Sequence, residues 1–438
     1  MTRTTDPTHD PAARSWVESA HRPGTDFPIQ NLPFGVFRDR ERREPARVGV
    51  AIGDFVLDLD RAVGLGLFAT VDREVQAALR ARVLNPLMAL GRGASGQVRT
   101  RVFALVSEGA PDRKTTADCL VPLEMADLLL PVDIGDYTDF YASIHHATNV
   151  GSMFRPESPL LPNYKYVPIG YHGRASSVVV SGTPVRRPMG QIKEDQSPAP
   201  VFGPTRSLDY ECEMGAYLAG GNPLGTVIPL AEAERHLFGL SLLNDWSARD
   251  VQRWEYQPLG PFLAKNFATT VSPWVVTVDA LAPFRVPAFD RPAGDPDPLP
   301  YLWAEPDRRS GGFAVTVEVF LATARMRAEG AAPLRLSRGS LGSMYWTMAQ
   351  LLTHHASNGC NLRPGDLIAS GTISGPEREN RGCLLELTWR GSEPLTMPTG
   401  EVRRFLQDGD EVVIRGFCER EGAARIGFGE CRGVVEPA

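Results

Sequence analysis

Tyr210-Glu211-Cys212-Glu213-Met214-Gly215-Ala216-Tyr217-Leu218 is the stretch on which the reading of this chain turns. It has the character of a strand, and a strand repeats every two residues, so Glu211 and Glu213 leave the same face. Two carboxylates side by side repel unless something positive lies between them. A hard cation is the direct answer, because magnesium and calcium prefer carboxylate oxygen. Cys212 lies between the glutamates but points to the other face. The burial habit of free cysteine makes it a core residue rather than a nucleophile.

Around this run lies a chain of 438 residues, too long for one small core, so two domains are expected. Hydrophobic content of 42% and charged content of 22% are those of a globular protein, and Gly 42 and Pro 37 point to a turn-rich, β-rich architecture. The net charge of −6 argues against a nucleic-acid partner, and basic pairs such as Arg42-Arg43 and Arg186-Arg187 are too short to change that. The six cysteines show no C-x-x-C pair, the first residues carry no apolar signal core, and no apolar run approaches a membrane span. These features predict reduced thiols, a cytoplasmic location and no membrane partner.

Residues 1–25 read as a loose polar tail and 26–130 as a small N-terminal domain. The latter holds a hairpin, Arg47–Ile52 and Phe55–Asp60 about Gly53-Asp54. Three helical stretches follow. One starts at Asp72, one is capped by Asn85 with Pro86 in its first turn, and one carries Val98, Val102, Leu105 and Val106 on a single stripe. Residues 131–438 read mostly as strands: Ser177–Ser181, Tyr210–Ala219, Phe238–Asn244, Val315–Leu321, Leu367–Ser370, Cys383–Trp389 and Glu411–Phe417. Helices are expected over Trp246–Tyr256 and Leu341–Ser357, the second stopped by Asn358-Gly359. Pro-rich stretches 183–206 and 284–311 read as surface excursions or a lid.

The segment Asn244–Tyr256 places Arg249, Gln252 and Tyr256 on one helical face, and Asp245 reads as an N-cap in its own right. His145-His146 are adjacent and point apart in regular structure, so one at most faces a site; a histidine suits proton transfer near neutral pH. Dipole stabilisation at a helix C-terminus suffices to explain His354-His355. Lys265, amid apolar and small residues, needs an anionic partner. Glu386 shares the face of an expected strand with Leu384 and Thr388 and needs a partner such as histidine. Ala369–Gly375 is a strand end and glycine turn suited to bringing backbone N–H groups to a ligand.

Several runs carry a family resemblance: Gly135-Asp136-Tyr137-Thr138-Asp139-Phe140-Tyr141, His146-Ala147-Thr148-Asn149-Val150-Gly151, Gly170–Gly182, Asn244–Tyr256, Pro258–Phe262 and Asn361–Leu367. In type and order they resemble the fumarylacetoacetate hydrolase family, from about Asp26 onward. The resemblance implies a mainly β protein with some α, a small SH3-like N-terminal domain and a larger C-terminal mixed β-sandwich roll, assembled as a homodimer. It implies that Asp139, Glu211, Glu213 and Asp245 bind magnesium or calcium, with Lys265 and Thr269 at the metal centre or a second magnesium. His146 would be the general base, which selects it over His145, and Glu386 would orient it. Arg249, Gln252 and Lys265 would stabilise an oxyanion. Tyr141, Arg155, Tyr171, Gln252, Tyr256 and Thr372 would contact substrate. The implied reaction is hydrolysis of a carbon–carbon bond in the β-diketone 4-fumarylacetoacetate, giving fumarate and acetoacetate, in tyrosine and phenylalanine catabolism. Related acylpyruvate hydrolases and keto-acid decarboxylases or hydratases are the alternative. The pattern departs at Ala264-Lys265-Asn266-Phe267-Ala268-Thr269, where the family's Gly-Lys-Ser-Phe-Gly-Thr has two glycines.

Overall fold

The computed structural model describes residues 6–42 and 44–438. The first five residues of the expected tail and Arg43 of the Arg42-Arg43 pair lie outside the described residues. The expected hairpin forms, Arg47–Ile52 against Phe55–Asp58 with Ile52 opposite Phe55 and Gly53 at φ 54. Its second strand stops short of Asp60, because the Asp58 side chain accepts from Arg61 N and starts the helix Leu59–Gly64. An antiparallel sheet runs in the order Leu120–Pro122, Phe55–Asp58, Arg47–Ile52, Phe34–Asp39, Ala126–Leu129. Helices Arg73–Leu79, Asn85–Ala89 and Arg92–Val106 pack on it, and Val98, Val102, Leu105 and Val106 are all buried as one stripe. Asn85 is the first helical residue rather than the cap. Its side chain accepts from Asp133 N at 2.9 Å and donates to Asp133 O at 2.8 Å and Pro364 O at 3.1 Å, bracing distant segments.

The expected loose tail is docked over residues 6–24. Short 3₁₀ turns at Pro7–His9 and Glu18–His21 bury Thr8, Ser19 and Ala20, and Trp16 Nε1 donates to Leu105 O at 2.9 Å. Polar composition suggests a solvated tail, but its groups find partners instead: Trp16 on the backbone of the helix Arg92–Val106, Thr8 at the Arg99 side chain and Ser19 at Asp54 N.

Two sheets carry the remainder. One runs Gly170–His172, Tyr137–Phe140, Leu367–Ala369, Cys212–Leu218, Leu237–Asp245, Thr269–Val271, Val178–Val180, with Val276–Thr277 also pairing to Leu237–Asp245. The other runs Leu334–Ser340, Thr316–Ala322, Glu411–Cys418, Ile426–Glu436, Val185–Arg186. The main core lies between them. Backbone and side chain meet there at Gly416, where a Cβ would lie 2.7 Å from Leu242 Cδ2. The architecture is mixed α/β. Among the described residues no helix is long and apolar enough to cross a membrane.

Three segments differ from expectation. Cys383–Trp389 forms the short helix Leu384–Leu387 instead of a strand, because the Asp209 carboxylate accepts from Leu384 N and Leu385 N, and Trp389 and Arg390 turn it off at φ 45 and 59. Asp245 is no N-cap: it ends the strand Leu237–Asp245 opposite Thr269, and the helix, Arg249–Glu255, begins after Ala248. The helix expected over Leu341–Ser357 is shorter, Met348–Ala356, with a capping box between Thr347 and Gln350. The Pro-rich stretches are ordered: 183–206 holds the hairpin Met189–Ile192 with Val201–Pro204, and 284–311 holds the helix Glu305–Ser310.

Candidate active site

Three strands of the sheet that starts at Gly170–His172 deliver four carboxylates to one place, with Leu367–Ala369 lying between the first and second of them. Asp139 comes from Tyr137–Phe140, Glu213 from Cys212–Leu218, Glu211 from the residue just before it, and Asp245 from the end of Leu237–Asp245. One oxygen from each lies within 4.8 Å of the others, and all four residues are buried. Cys212 faces the opposite way into the main core, where burial pushes its thiol well up.

Two cations serve this cluster unequally. The Lys265 ammonium is bound by Glu211 and lies 2.6 Å from Asp245 Oδ2. Arg249 Nη1 lies 2.8 Å from Glu211 Oε1. Burial would raise the Glu211 carboxyl, but Lys265, Arg249 and His146 outweigh it and hold it well below the usual range. Burial and the neighbouring Asp245 charge push Asp139 well up, and burial with the Asp139, Glu211 and Asp245 charges does the same to Glu213. Among the described residues Asp139 Oδ1 and Glu213 Oε1 have no hydrogen-bond partner. Two buried, uncompensated carboxylates with orphaned oxygens, inside an all-oxygen donor set, fit a hard divalent cation.

Beside the cluster stands an imidazole. Ser143 caps the helix Ile144–Phe154 by accepting from His146 N, and that turn buries His146. His146 Nδ1 is 2.6 Å from Glu386 Oε2, and Nε2 is 3.9 Å from Glu211 Oε1. The Nδ1 proton therefore goes to Glu386, leaving Nε2 as the acceptor on the side of the carboxylates. Burial opposes the Glu386 charge, but His146 and hydrogen bonds from Asn149 and Ser374 bring it down to about 2. His145 faces away, its ring 6.4 Å from that of Phe289.

The other expected residues divide into two groups. Tyr171 Oη lies 2.6 Å from Asp245 Oδ2 and 3.1 Å from Asp139 Oδ2, with one proton to donate between them. Tyr141 stacks edge-on against His146 at 5.3 Å. Gln252 Oε1 accepts from Arg249 Nη1 at 3.2 Å, and Thr269 Oγ1 lies 3.5 Å from Asp245 Oδ1. Thr372 is buried just after Gly371, whose N–H donates to Glu213 Oε2 at 3.0 Å. Arg155 and Tyr256 are not drawn in. Both are exposed, and the Arg155 guanidinium donates to Pro159 O at 3.3 Å.

Residues 136–436 match the family described as fumarylacetoacetate (FAA) hydrolase C-terminal, and 30–131 the family described as fumarylacetoacetase N-terminal. The chain belongs to the fumarylacetoacetate hydrolase family. It is 50% identical to the fumarylacetoacetase of Homo sapiens over 94% of this chain and 97% of that one. It is 47% identical to that of Oryza sativa subsp. japonica over 97% of each. A solved fumarylacetoacetate hydrolase from the psychrophilic Exiguobacterium antarcticum superposes with a TM-score of 0.49 at 18% identity, covering 93% of this chain and 100% of its own.

In this fumarylacetoacetate hydrolase family member, sequence reasoning missed a supporting layer. Asn149 Nδ2 donates to Glu386 Oε1 at 2.8 Å, and Ser374 Oγ donates to Glu386 Oε2 at the same distance. The spacing of His146 and Asn149, three apart on one helix, was the available signal for the first. Asp209, which binds Arg249, offered none beyond its nearness to Glu211.

Proposed function

We propose that this protein is a metal-dependent carbon–carbon bond hydrolase that converts 4-fumarylacetoacetate and water to fumarate and acetoacetate, in tyrosine and phenylalanine catabolism. The observation that carries the reading is the buried His146–Glu386 pair, 2.6 Å apart, with its free nitrogen turned toward four convergent carboxylates. The names carried by relatives near half identity supply the substrate.

Water is a weak nucleophile. His146 Nε2 takes a proton from it as the oxygen adds to the ketone, and Glu386 stabilises the imidazolium through Nδ1. Addition leaves an oxyanion. The Gln252 carbonyl is already taken by Arg249, so its amide N–H groups are free to donate, beside the Arg249 guanidinium and the Lys265 ammonium. One such donor is worth about 3 kcal/mol in the transition state. Collapse of the oxyanion breaks the carbon–carbon bond, and the proton held by His146 is available to the departing carbon. Asp139, Glu211, Glu213 and Asp245 would hold magnesium or calcium, with Lys265 and Thr269 flanking it, and the ion would act as a Lewis acid toward the diketone oxygens.

Tyr141, Tyr171, Tyr256 and Thr372 would line the substrate, and Arg155 would hold a terminal carboxylate, bidentate where geometry allows. Residues 26–130 would form the small SH3-like domain and 131–438 the catalytic β-sandwich roll. The assembly would be a cytoplasmic homodimer.

The test is turnover of fumarylacetoacetate by purified protein with magnesium, with calcium and with EDTA, following loss of the β-diketone. Metal-dependent production of fumarate supports the reading. Inertness toward fumarylacetoacetate with turnover of an acylpyruvate or a keto acid would transfer the site to the related hydrolases, decarboxylases or hydratases.

A further inference from the structure

We infer that Asp209 is a positioning residue for this reaction, orienting the Arg249 guanidinium and the helix that carries Glu386 through one carboxylate; the inference rests on the hydrolase reading above. Leu208–Asp209 pairs antiparallel with Ser247–Ala248, so Asp209 lies opposite Ser247, immediately before the helix Arg249–Glu255. Arg249 N donates to Ser207 O at 3.0 Å, fixing the start of that helix to the residue just before the same short strand. The Asp209 side chain is fully enclosed, at 0% exposure.

Each oxygen has its own work. Oδ2 lies 2.9 Å from both Nε and Nη2 of Arg249 and accepts from Leu385 N at 2.9 Å. Oδ1 accepts from Leu384 N at 2.8 Å and from Tyr210 N at 2.9 Å. Holding a guanidinium by its Nε edge fixes its plane. The remaining nitrogen, Nη1, is then aimed at Glu211 Oε1 and Gln252 Oε1, at 2.8 and 3.2 Å. The same carboxylate fills the acceptor positions at the N-terminus of Leu384–Leu387, whose amides have no partner within the helix. Glu386 sits in that single turn, and its reach to His146 Nδ1 depends on where the turn is held. Asp209 therefore couples the oxyanion side of the site to the general-base side without touching substrate.

A purely structural ion pair would make a different prediction, and kinetics separates the two. Asp209→Asn keeps the size, removes the charge and turns an amide N–H toward donors that need an acceptor. The expected result is a fall in kcat of about 100-fold or more, with KM changed less than about threefold. The loss should shrink when Asp209→Asn is placed on Arg249→Gln, and again on Glu386→Gln, because residues acting as a unit are not additive. Additive losses in both backgrounds, or a kcat within about threefold of the parent, would overturn the inference. Should Asp209→Asn not fold, Arg249→Lys serves instead. It keeps the charge but cannot span Asp209 and Glu211 together, and it should lose as much turnover as Arg249→Gln. Near-parental turnover in Arg249→Lys would defeat the proposal. A readout that needs no substrate is the nuclear magnetic resonance signal of isotope-labelled arginine. The Arg249 Nε–H should exchange slowly and move in Asp209→Asn, and an unmoved signal counts against the inference whatever the enzyme hydrolyses. Inactivity of the parent protein toward fumarylacetoacetate, with the arginine signal as expected, would sink the functional reading and leave the positioning role standing.

Discussion

His146 has one ring nitrogen committed to Glu386 and one directed at the carboxylates, and that asymmetry decides what substitution should do. His146→Ala should lower kcat by about 10²–10⁴-fold while keeping the affinity for calcium or magnesium, measured by calorimetry. His145→Ala, whose ring lies by Phe289, should leave kcat near the parent; a larger loss there than at position 146 would reverse the assignment. The four acids make a separate prediction for the metal-free protein. Burial and like charges raise Asp139 and Glu213 in the folded state. A raised carboxyl binds more protons folded than unfolded, so these two groups add stability as pH falls through their folded values toward the unfolded values near 4. EDTA-treated protein should therefore gain Tm from this pair on acidification. Calcium or magnesium should raise Tm most at the alkaline end, where a hundredfold excess over Kd stabilises the folded protein by about 2.7 kcal/mol. A metal-induced shift that grew on acidification would contradict the pairing of cation and carboxylates. At this scale much was legible. The alternation of Glu211 and Glu213 and the need of Lys265 and Glu386 for partners follow from charge alone. Asp209 and Asn149 were not legible, because their meaning lies in contacts with residues remote along the chain.

The helix Ile144–Phe154 joins His146, the proposed base, to the exposed Arg155, and Gly151 is what lets the chain fold back beyond it. A Cβ at Gly151 would sit 1.9 Å from Pro159 O, a backbone atom that cannot swing aside. Gly151→Ala should therefore displace the turn carrying Arg155 and leave His146, three helical residues from the cap, in place. Loss of a charge-assisted contact worth about 1.5–3 kcal/mol would raise KM roughly 10–100-fold with kcat less affected. Arg155→Ala should reproduce that pattern, and a Gly151→Ala enzyme with parental KM would remove Arg155 from the substrate's surroundings. Elements were legible where burial repeats with a simple period, as in the stripe of Arg92–Val106, or where a long apolar run is bounded by turn signals, as in Cys212–Leu218 and Leu237–Asp245, both buried at every position. They were misread where a remote side chain sets the backbone. The run Leu384-Leu385-Glu386-Leu387 has no period to distinguish a buried strand from a buried turn of helix, and the Asp209 acceptor decides for helix. Asp245 looks like a cap by residue type, yet pairing with Thr269 holds it in the sheet.

At the level of the whole molecule, length and composition foretell more than one core, but not what ties the cores together. The polar, Pro-containing segment before Asp26 carries no period, so its docking could not be read. It crosses from one core to the other: His9 Nε2 meets Asp279 O at 2.7 Å, and Ser15 Oγ donates to Val106 O at 2.6 Å. Its keystone is Arg99, buried in the helix Arg92–Val106, where burial lowers the guanidinium to about 10. Arg99 donates to Thr8 Oγ1 at 3.1 Å, Thr8 O at 3.3 Å, Gln30 O at 2.6 Å and Asn31 O at 2.5 Å. Removing residues 1–16 would take away the Thr8 acceptors and open the guanidinium on one side while Gln30 and Asn31 stay. Partial loss of partners for a buried charge costs about 2–5 kcal/mol, so urea should unfold the shortened protein at a clearly lower midpoint. Among the described residues the hydrogen-bond and ion-pair partners of the carboxylate cluster lie outside that segment, so turnover of the folded shortened protein at low temperature should match the parent. The decisive comparison is the same truncation in Arg99→Met. An apolar side chain leaves no unpaired charge behind, and the cost of removing the segment should then fall by about half or more. An equal cost in both backgrounds would show that the segment stabilises the molecule through its other contacts, such as Ser15 Oγ to Val106 O and Trp16 Nε1 to Leu105 O, and that the Arg99 contacts add nothing.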